Sequence, residues 1–214
     1  MRRHVQKTRW AVLGAAALLV ALLTAASASA ATVYKIDIDS DNGIGPVTAA
    51  GFSSVNADSG ATVVAGVTFD PFGGSRTRDA SGSPNPDALL ADFVFGGTCG
   101  VEITDLPDGP WEAKLWSYDA QYGADSQIIG IEDGTTDVVK TDDFDANPTT
   151  PFVFQFDTDD FANTFSIYVA EDDETGNNDR SRLDGLELTL IPEPATLAML
   201  AIGGVGLLAR RRRR

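Results

Sequence analysis

The chain has 214 residues, of which 31 are acidic and 16 are basic, and its formal net charge at pH 7 is −15. This balance argues against a nucleic-acid-binding protein, because affinity for nucleic acid depends on Lys and Arg side chains that neutralise phosphates. The single cysteine, Cys99, excludes an intramolecular disulfide.

The N-terminal segment has the three parts of a secretory signal peptide. Four basic residues precede an apolar run over residues 10–23, and Ala28 and Ala30 form an A-x-A cleavage site. We therefore predict a signal peptide over residues 1–30, a mature chain that begins at Ala31, and export from the cytoplasm.

Signal-peptide cleavage would also remove His4, the only histidine of the chain. A mature chain without histidine excludes Ser-His-Asp hydrolases, Cys-His proteases and zinc sites with histidine ligands. Residues 31–192 carry 30 acidic and 7 basic side chains, a net charge of about −23. A surface of this charge favours divalent cations as partners.

Apolar and polar residues alternate along short segments of the exported body. Tyr34, Ile36 and Ile38 alternate with Lys35 and with aspartates, as in a half-buried strand. Eight further apolar runs, separated by Gly, Pro, Asp and Asn, lie at residues 63–69, 93–95, 101–103, 111–118, 128–131, 152–156, 165–169 and 186–190.

Nine short strands in about 160 residues predict one all-β domain. Turn residues between the strands favour a single jelly-roll β-sandwich over residues 31–191. One helix is predicted at residues 87–91, and the segments 40–60 and 171–182 are predicted to be loops.

A tight turn and an aromatic pair lie in the middle of the body. Pro107 and Gly109 supply the fixed φ and the positive φ that such a turn requires. The alternation that begins at Trp111 places Trp116 and Tyr118 on the polar face of the next strand. Exposed aromatic rings among polar groups can stack on sugar rings, so Trp116 and Tyr118 are candidate carbohydrate contacts. The alternative is that a loop or the second sheet covers them as core residues.

Three stretches of the body are D-A-L-L-A-D-F-V-F-G at 87–96, V-E-I-T-D-L-P-D-G-P-W-E-A-K-L-W at 101–116 and L-D-G-L-E-L at 183–188. They resemble the galactose-binding-like jelly-roll module of rhamnogalacturonan acetylesterase-like proteins, and the match as a whole covers most of residues 34–190. This chain has Asp108, Trp111 and Asp184 where that module has Asn, Tyr and Asn. The resemblance implies a binding module and gives no support for esterase activity.

Carboxylates form a second candidate site. Asp37, Asp39 and Asp41 have the D-x-D-x-D spacing that begins a calcium loop, but the residues after them do not complete an EF-hand. Related carbohydrate-binding modules hold a structural calcium ion between the first and last strands, which implies Asp37, Asp39 and Asp184 as metal ligands here. The alternative, that the carboxylates are solvated surface groups, applies also to the acidic run 171–179.

The C-terminal tail has three parts in order: Pro192, Glu193 and Pro194, then an apolar run over 195–209, then arginines at 210–214. A helix of this apolar run would span about 22 Å, less than the hydrocarbon core of about 30 Å, so it suits temporary retention in a membrane. The arginines would stay on the cytoplasmic side.

This tail resembles the PEP-CTERM sorting signal, which an exosortase reads in exopolysaccharide-producing bacteria. The resemblance implies transient anchoring in the inner membrane through residues 195–209, processing by an exosortase, and a final location at the cell surface or outside the cell. A permanent tail anchor is the alternative.

These features predict an exported, noncatalytic cell-surface or matrix protein that binds polysaccharide and does not bind nucleic acid. A glycoside-active enzyme that uses carboxylates alone is one alternative. A purely structural coat component without a ligand is the other.

We predict that the mature protein loses the residues from about Pro192 onward and leaves the inner membrane, because the three parts of the tail act as one sorting unit. Intact-mass measurement of the protein from its native host tests this prediction. A mature species that still ends in the arginine cluster would contradict it.

Overall fold

Strands dominate the computed structural model, which describes residues 31–43, 45–77, 89–118, 126–145, 150–171 and 181–192. Within these segments, strands and one 3₁₀ turn at Thr158–Asp160 form a two-sheet sandwich, so the predicted all-β sandwich is confirmed. The predicted signal peptide and the tail beyond Pro192 lie outside the described residues. In the segments that are described, no helix is long and apolar enough to cross a membrane.

Sheet A has five strands in the order β2-β1-β12-β6-β9. They are β1 (Val33–Asp39), β2 (Ser53–Asn56), β6 (Pro110–Trp116), β9 (Phe152–Asp157) and β12 (Gly185–Leu190). The first and last strands of the body are therefore neighbours, paired antiparallel, whereas β1 and β2 are parallel.

Sheet B has the order β3-β4-β5-β10-β7-β8, and β11 pairs with β5 beside this path. Its strands are β3 (Thr62–Val64), β4 (Val67–Thr77), β5 (Asp92–Thr104), β7 (Ser126–Glu132), β8 (Asp137–Asp145), β10 (Thr164–Glu171) and β11 (Ser181–Leu183). A β-bulge between Phe72 and Gly74 bends β4 where it pairs with the middle of β5.

Side chains from the two inner faces form the main core. On two strands of sheet A, the inward side chains are the ones that alternation predicts: Tyr34, Ile36 and Ile38 of β1, and Trp111, Ala113 and Leu115 of β6. Trp111 is fully buried, and its indole N–H donates to the carbonyl oxygen of Pro107 at 3.0 Å. This bond ties the predicted turn to the core.

The run 63–69, predicted as one strand, is a hairpin. Ala65 and Gly66 have φ values of 49° and 92°, as expected of a two-residue turn between β3 and β4. Conversely, the runs 93–95 and 101–103 belong to one strand, β5. Gly100 allows this continuity, because a Cβ there would collide with the carbonyl oxygen of Ile167 on β10.

Three strands were not predicted. β2 lies in the predicted loop 40–60 and β11 in the predicted loop 171–182, while β8 is a polar edge strand. In the predicted helix 87–91, the first two residues lie outside the described segments and the other three form a turn.

We expect Leu115→Ala to lower the free energy of unfolding by about 2–5 kcal/mol, because it removes buried core atoms of sheet A and leaves a cavity. Val153→Ala on the neighbouring strand is the matched control. It is 49% exposed and should change stability by less than about 0.5 kcal/mol. Urea unfolding compares the two variants, and equal losses would contradict the assigned faces.

Candidate functional site

Three aspartates meet at one end of the sandwich. Asp37 and Asp39 lie on β1 on the face opposite the core, and Asp92 begins β5 of the other sheet. All three residues are fully buried. The carboxyl of Asp39 is in hydrogen-bonding contact with that of Asp92, and both carboxylates act electrostatically on Asp37.

A short segment over residues 47–49, here called the strap, covers these carboxyl groups. The Val47 N–H donates to Asp92 Oδ2 at 2.7 Å, and the Thr48 hydroxyl donates to Asp39 Oδ2 at 2.6 Å. The Ala49 N–H donates to Asp37 Oδ2. Each residue of the strap is therefore bound by a different carboxyl group.

The second oxygen of each carboxyl group lacks a hydrogen-bond partner. Oδ1 of Asp37, Asp39 and Asp92 is buried and accepts no hydrogen bond. Burial raises the pKa of Asp37 to about 8, and the Asp39 and Asp92 carboxylates add to the rise. Burial likewise raises the pKa of Asp92 to about 6. Burial therefore favours the protonated forms of Asp37 and Asp92, and a bound cation would favour their charged forms.

Asp184, predicted to join Asp37 and Asp39, lies on the other face of sheet A. Its carbonyl oxygen accepts from the Ile38 N–H, and side chains opposite each other in an antiparallel pair share a face. Ile38 faces the core. The Asp184 carboxylate accepts from the Tyr118 N–H at 2.7 Å and helps to raise the pKa of Cys99. Asp92 occupies the place that sequence reasoning gave to Asp184.

One feature of the sequence could have pointed to Asp92. It is an acidic residue inside the run that extends from Leu89 to Phe93, and its neighbours on both sides are apolar and buried. An acidic residue in such a run needs a specific partner. The third residue of the D-x-D-x-D pattern, Asp41, is exposed, and its N–H donates to Asp58.

Trp116 does not form the exposed platform that its strand parity predicts. It does point away from the main core, but only 8% of it is exposed. It packs in a second cluster with Ala49 and Leu89, and Phe52 contacts its ring edge-to-face. The structure therefore agrees with the alternative prediction, in which a loop covers Trp116. Tyr118 is half-buried against the same cluster.

A small cavity lies at the opposite end of the sandwich, between the turn before β6 and the 3₁₀ turn. Its volume is about 170 Å³, and it is lined by Leu106, Asp108, Thr158, Asp159, Phe161, Ala162, Asn163 and Phe165. Leu106, Thr158 and Phe165 are buried, Phe161 is half-buried, and the other lining residues are exposed. The buried lining residues are thus mostly apolar, and the exposed ones are mostly polar.

Within the described segments, no three His, Cys, Asp or Glu side chains are placed so that they could hold a metal ion. The buried aspartates instead predict how metal-free protein responds to pH. Asp37 and Asp92 have pKa values of about 8 and about 6 in the folded chain, against a usual value of 3.8. Between about pH 4 and 8 the folded state therefore binds more protons than the unfolded state, and stability falls as pH rises.

Urea unfolding in EDTA at pH 5, 6.5 and 8 measures how far the free energy of unfolding falls as the pH rises. Asp37→Asn should flatten the profile and raise stability at pH 8, because the amide is a neutral isostere. Asp142→Asn, at an exposed position of β8, should leave the profile unchanged. The lowered pKa values of Asp58 and Asp133 act below about pH 4, outside this window. A wild-type profile that is flat from pH 5 to 8 would contradict the prediction.

Comparisons with known proteins bear separately on the body and the tail. Among solved structures, the body is similar to a calcium-binding mutant of Bacteroides uniformis beta-glucuronidase 2, with 14% sequence identity and a TM-score of 0.47. The alignment covers 75% of this chain and 18% of that enzyme, so this chain spans less than a fifth of the enzyme's length. No curated protein matches the chain.

The tail gives a direct match. Residues 190–214 match the family model described as the PEP-CTERM protein-sorting motif, and this range includes Pro192, Glu193, Pro194 and the terminal arginines. The chain therefore carries a PEP-CTERM sorting motif, which marks it as an exported protein that is anchored transiently in the membrane and sorted by an exosortase.

Proposed function

We propose that the exported body is a noncatalytic, calcium-stabilised module that binds polysaccharide at the cell surface or in the extracellular matrix. One observation carries this proposal: the carboxyl groups with raised pKa values hold the protein's own strap rather than face a substrate cleft. The sequence resemblance to a polysaccharide-associated binding module and the exosortase sorting motif support it.

The position of these carboxyl groups favours binding over hydrolysis. A glycosidase that relies on carboxylates needs one acid that stays protonated near neutral pH and reaches the scissile bond. Among the described residues, the carboxyl groups with raised pKa are Asp37 and Asp92. Both are fully buried, and their Oδ2 atoms accept from the strap. A substrate would have to displace the strap to reach them.

Calcium fits the chemistry of the same three residues. It is a hard cation that prefers oxygen ligands, and carboxylates bind it in flexible geometry. Asp37, Asp39 and Asp92 each have one buried oxygen without a hydrogen-bond partner, and these oxygens can serve as ligands. The Asp39 and Asp92 carboxyl groups also contact each other, and a calcium ion bound beside them would offset their mutual repulsion.

Export makes such a site useful. Outside the cytoplasm, calcium is abundant, and a body with a net charge of about −23 gains from a cation that neutralises buried charge. A cation that binds only the folded state stabilises it by mass action, by about 2.7 kcal/mol at a hundredfold excess over its dissociation constant.

We expect millimolar calcium to raise the melting temperature of the purified exported protein at pH 8, compared with EDTA at matched ionic strength. The rise should shrink at pH 5, because protons then occupy the carboxyl groups. Differential scanning calorimetry measures both effects.

Variants identify the site. Asp37→Asn and Asp92→Asn should each abolish most of the calcium response, whereas Asp142→Asn, an exposed control, should retain it. Equal melting temperatures in calcium and EDTA at pH 8 would remove calcium from the proposal. A response that survives in both buried-site variants would place the ion elsewhere.

A glycan array probed with the calcium-loaded protein tests polysaccharide binding, and release of reducing sugar tests hydrolysis. Binding without release supports a noncatalytic module. Release from a bound glycan would establish the enzymatic alternative, for which Asp108 and Asp159 on the cavity rim are the accessible carboxylates. Absence of binding would favour a purely structural coat component.

A further inference from the structure

We infer that the cavity between the turn before β6 and the 3₁₀ turn binds one sugar unit of the polysaccharide, and that it selects units without a carboxylate. This inference rests on the proposed binding function and gives it a place in the fold. The site lies far from Trp116, at the other end of the sandwich. Strand β5 connects the two ends: Asp92, at the strap end, is its first residue, and Leu106, in the cavity, lies just beyond its last residue.

The cavity has the size and two-sided chemistry that a sugar ring requires. A sugar ring is compact, with apolar C–H faces and a belt of hydroxyl groups. Leu106 and Phe165 support the cavity from below but are only 6% and 2% exposed, so the aromatic surface open to a ligand is the partly exposed ring of Phe161. Asp108 and Asn163 stand exposed on the rim, where carboxylate and amide groups can bond to hydroxyls.

The Phe161 ring is held in place by its neighbours. It lies 5.7 Å from Phe165 and 6.5 Å from Phe156 between ring centroids. Phe161 lines the cavity and is partly exposed, so its ring can stack on a sugar face as aromatic rings do on other apolar surfaces.

The loops around the cavity are fixed by hydrogen bonds before any ligand binds. The Thr158 hydroxyl accepts from the Gly109 N–H at 2.8 Å and joins the two turns. Asp133 accepts from the Ala162 N–H at 2.8 Å, and the Asn163 amide donates to Asp105 at 2.9 Å. A preorganised rim lowers the entropy lost on binding, so even a small cavity can contribute useful affinity.

The charge around the cavity determines which sugars it accepts. Asp108 and Asp159 line the cavity directly, and Asp105, Asp157 and Asp160 lie in the same two turns. A uronate carboxylate would be repelled by this rim, whereas uncharged sugars would not, and the ammonium group of an amino sugar would be attracted. The cavity therefore favours uncharged or amino sugars over uronic acids.

The experiment measures binding of the calcium-loaded exported protein to three oligosaccharides by calorimetry: oligomers of glucose, of glucosamine and of galacturonate. Wild-type protein should bind the first two and bind galacturonate least. Phe161→Ala should weaken binding of glucose oligomers about tenfold, since it removes the stacking surface. The exposed control Val153→Ala, on β9, should bind as wild type does.

A second variant keeps the test informative if loss of the Phe161 ring disturbs the fold. Asp108→Asn with Asp159→Asn preserves shape and removes two negative charges from the rim. It should weaken binding of glucosamine oligomers and strengthen binding of galacturonate oligomers, with little change for glucose oligomers. The control for this variant is Asp142→Asn, which removes charge far from the rim.

The outcomes separate this inference from the function on which it rests. Sugar binding that is unchanged in all cavity variants would overturn the assigned site and leave polysaccharide binding intact. Galacturonate binding as tight as glucose binding in wild type would overturn the selectivity. Failure of wild-type protein to bind any glycan would overturn the proposed function and this inference together.

Discussion

Burial of three carboxyl groups under the strap is the constraint on which one end of the sandwich depends. Asp37, Asp39 and Asp92 each hold one strap residue, but three negative charges in a medium of low dielectric repel one another strongly. Neutralisation of Asp37 and Asp92 by protons or by a cation therefore favours the closed strap. Ala49 of the strap also packs in the cluster around Trp116, so the strap connects this cluster to the buried carboxyl groups.

The two ends of the sandwich are held together by different kinds of contact. At the strap end, long-range contacts close the fold: the carboxyls of β1 and β5 come from different sheets and meet only in the folded chain. At the cavity end, short turns are fastened by local and side-chain hydrogen bonds, and the last strand also ends there, with the Ile191 N–H donating to Pro110. The strap end is therefore held by contacts between segments distant in sequence, and the cavity end by hydrogen bonds within and between short turns.

Sequence patterns predicted the parts of this fold that depend on one strand at a time. The alternation on β1 and β6 correctly assigned core faces, because period-two burial is a local property. The turn between β3 and β4 was not predicted, because alanine seldom adopts a positive φ and Ala65 does so here. Asp92 was missed, and the choice between an exposed and a covered Trp116 stayed open, for one shared reason. Both outcomes depend on segments distant in sequence that pack over the outer face of sheet A.

Aspartate has opposite consequences in the two places where this chain concentrates it. Beneath the strap, desolvation raises the pKa of Asp37 and Asp92 until the charge is a cost to folding. On the cavity rim, Asp108 and Asp159 are exposed to water, so their charge adds no such cost and acts instead on approaching ligands. Composition counts all of these residues in a single net charge. Their effect depends on how much solvent surrounds them, so a buried aspartate opposes folding where an exposed one contributes only surface charge.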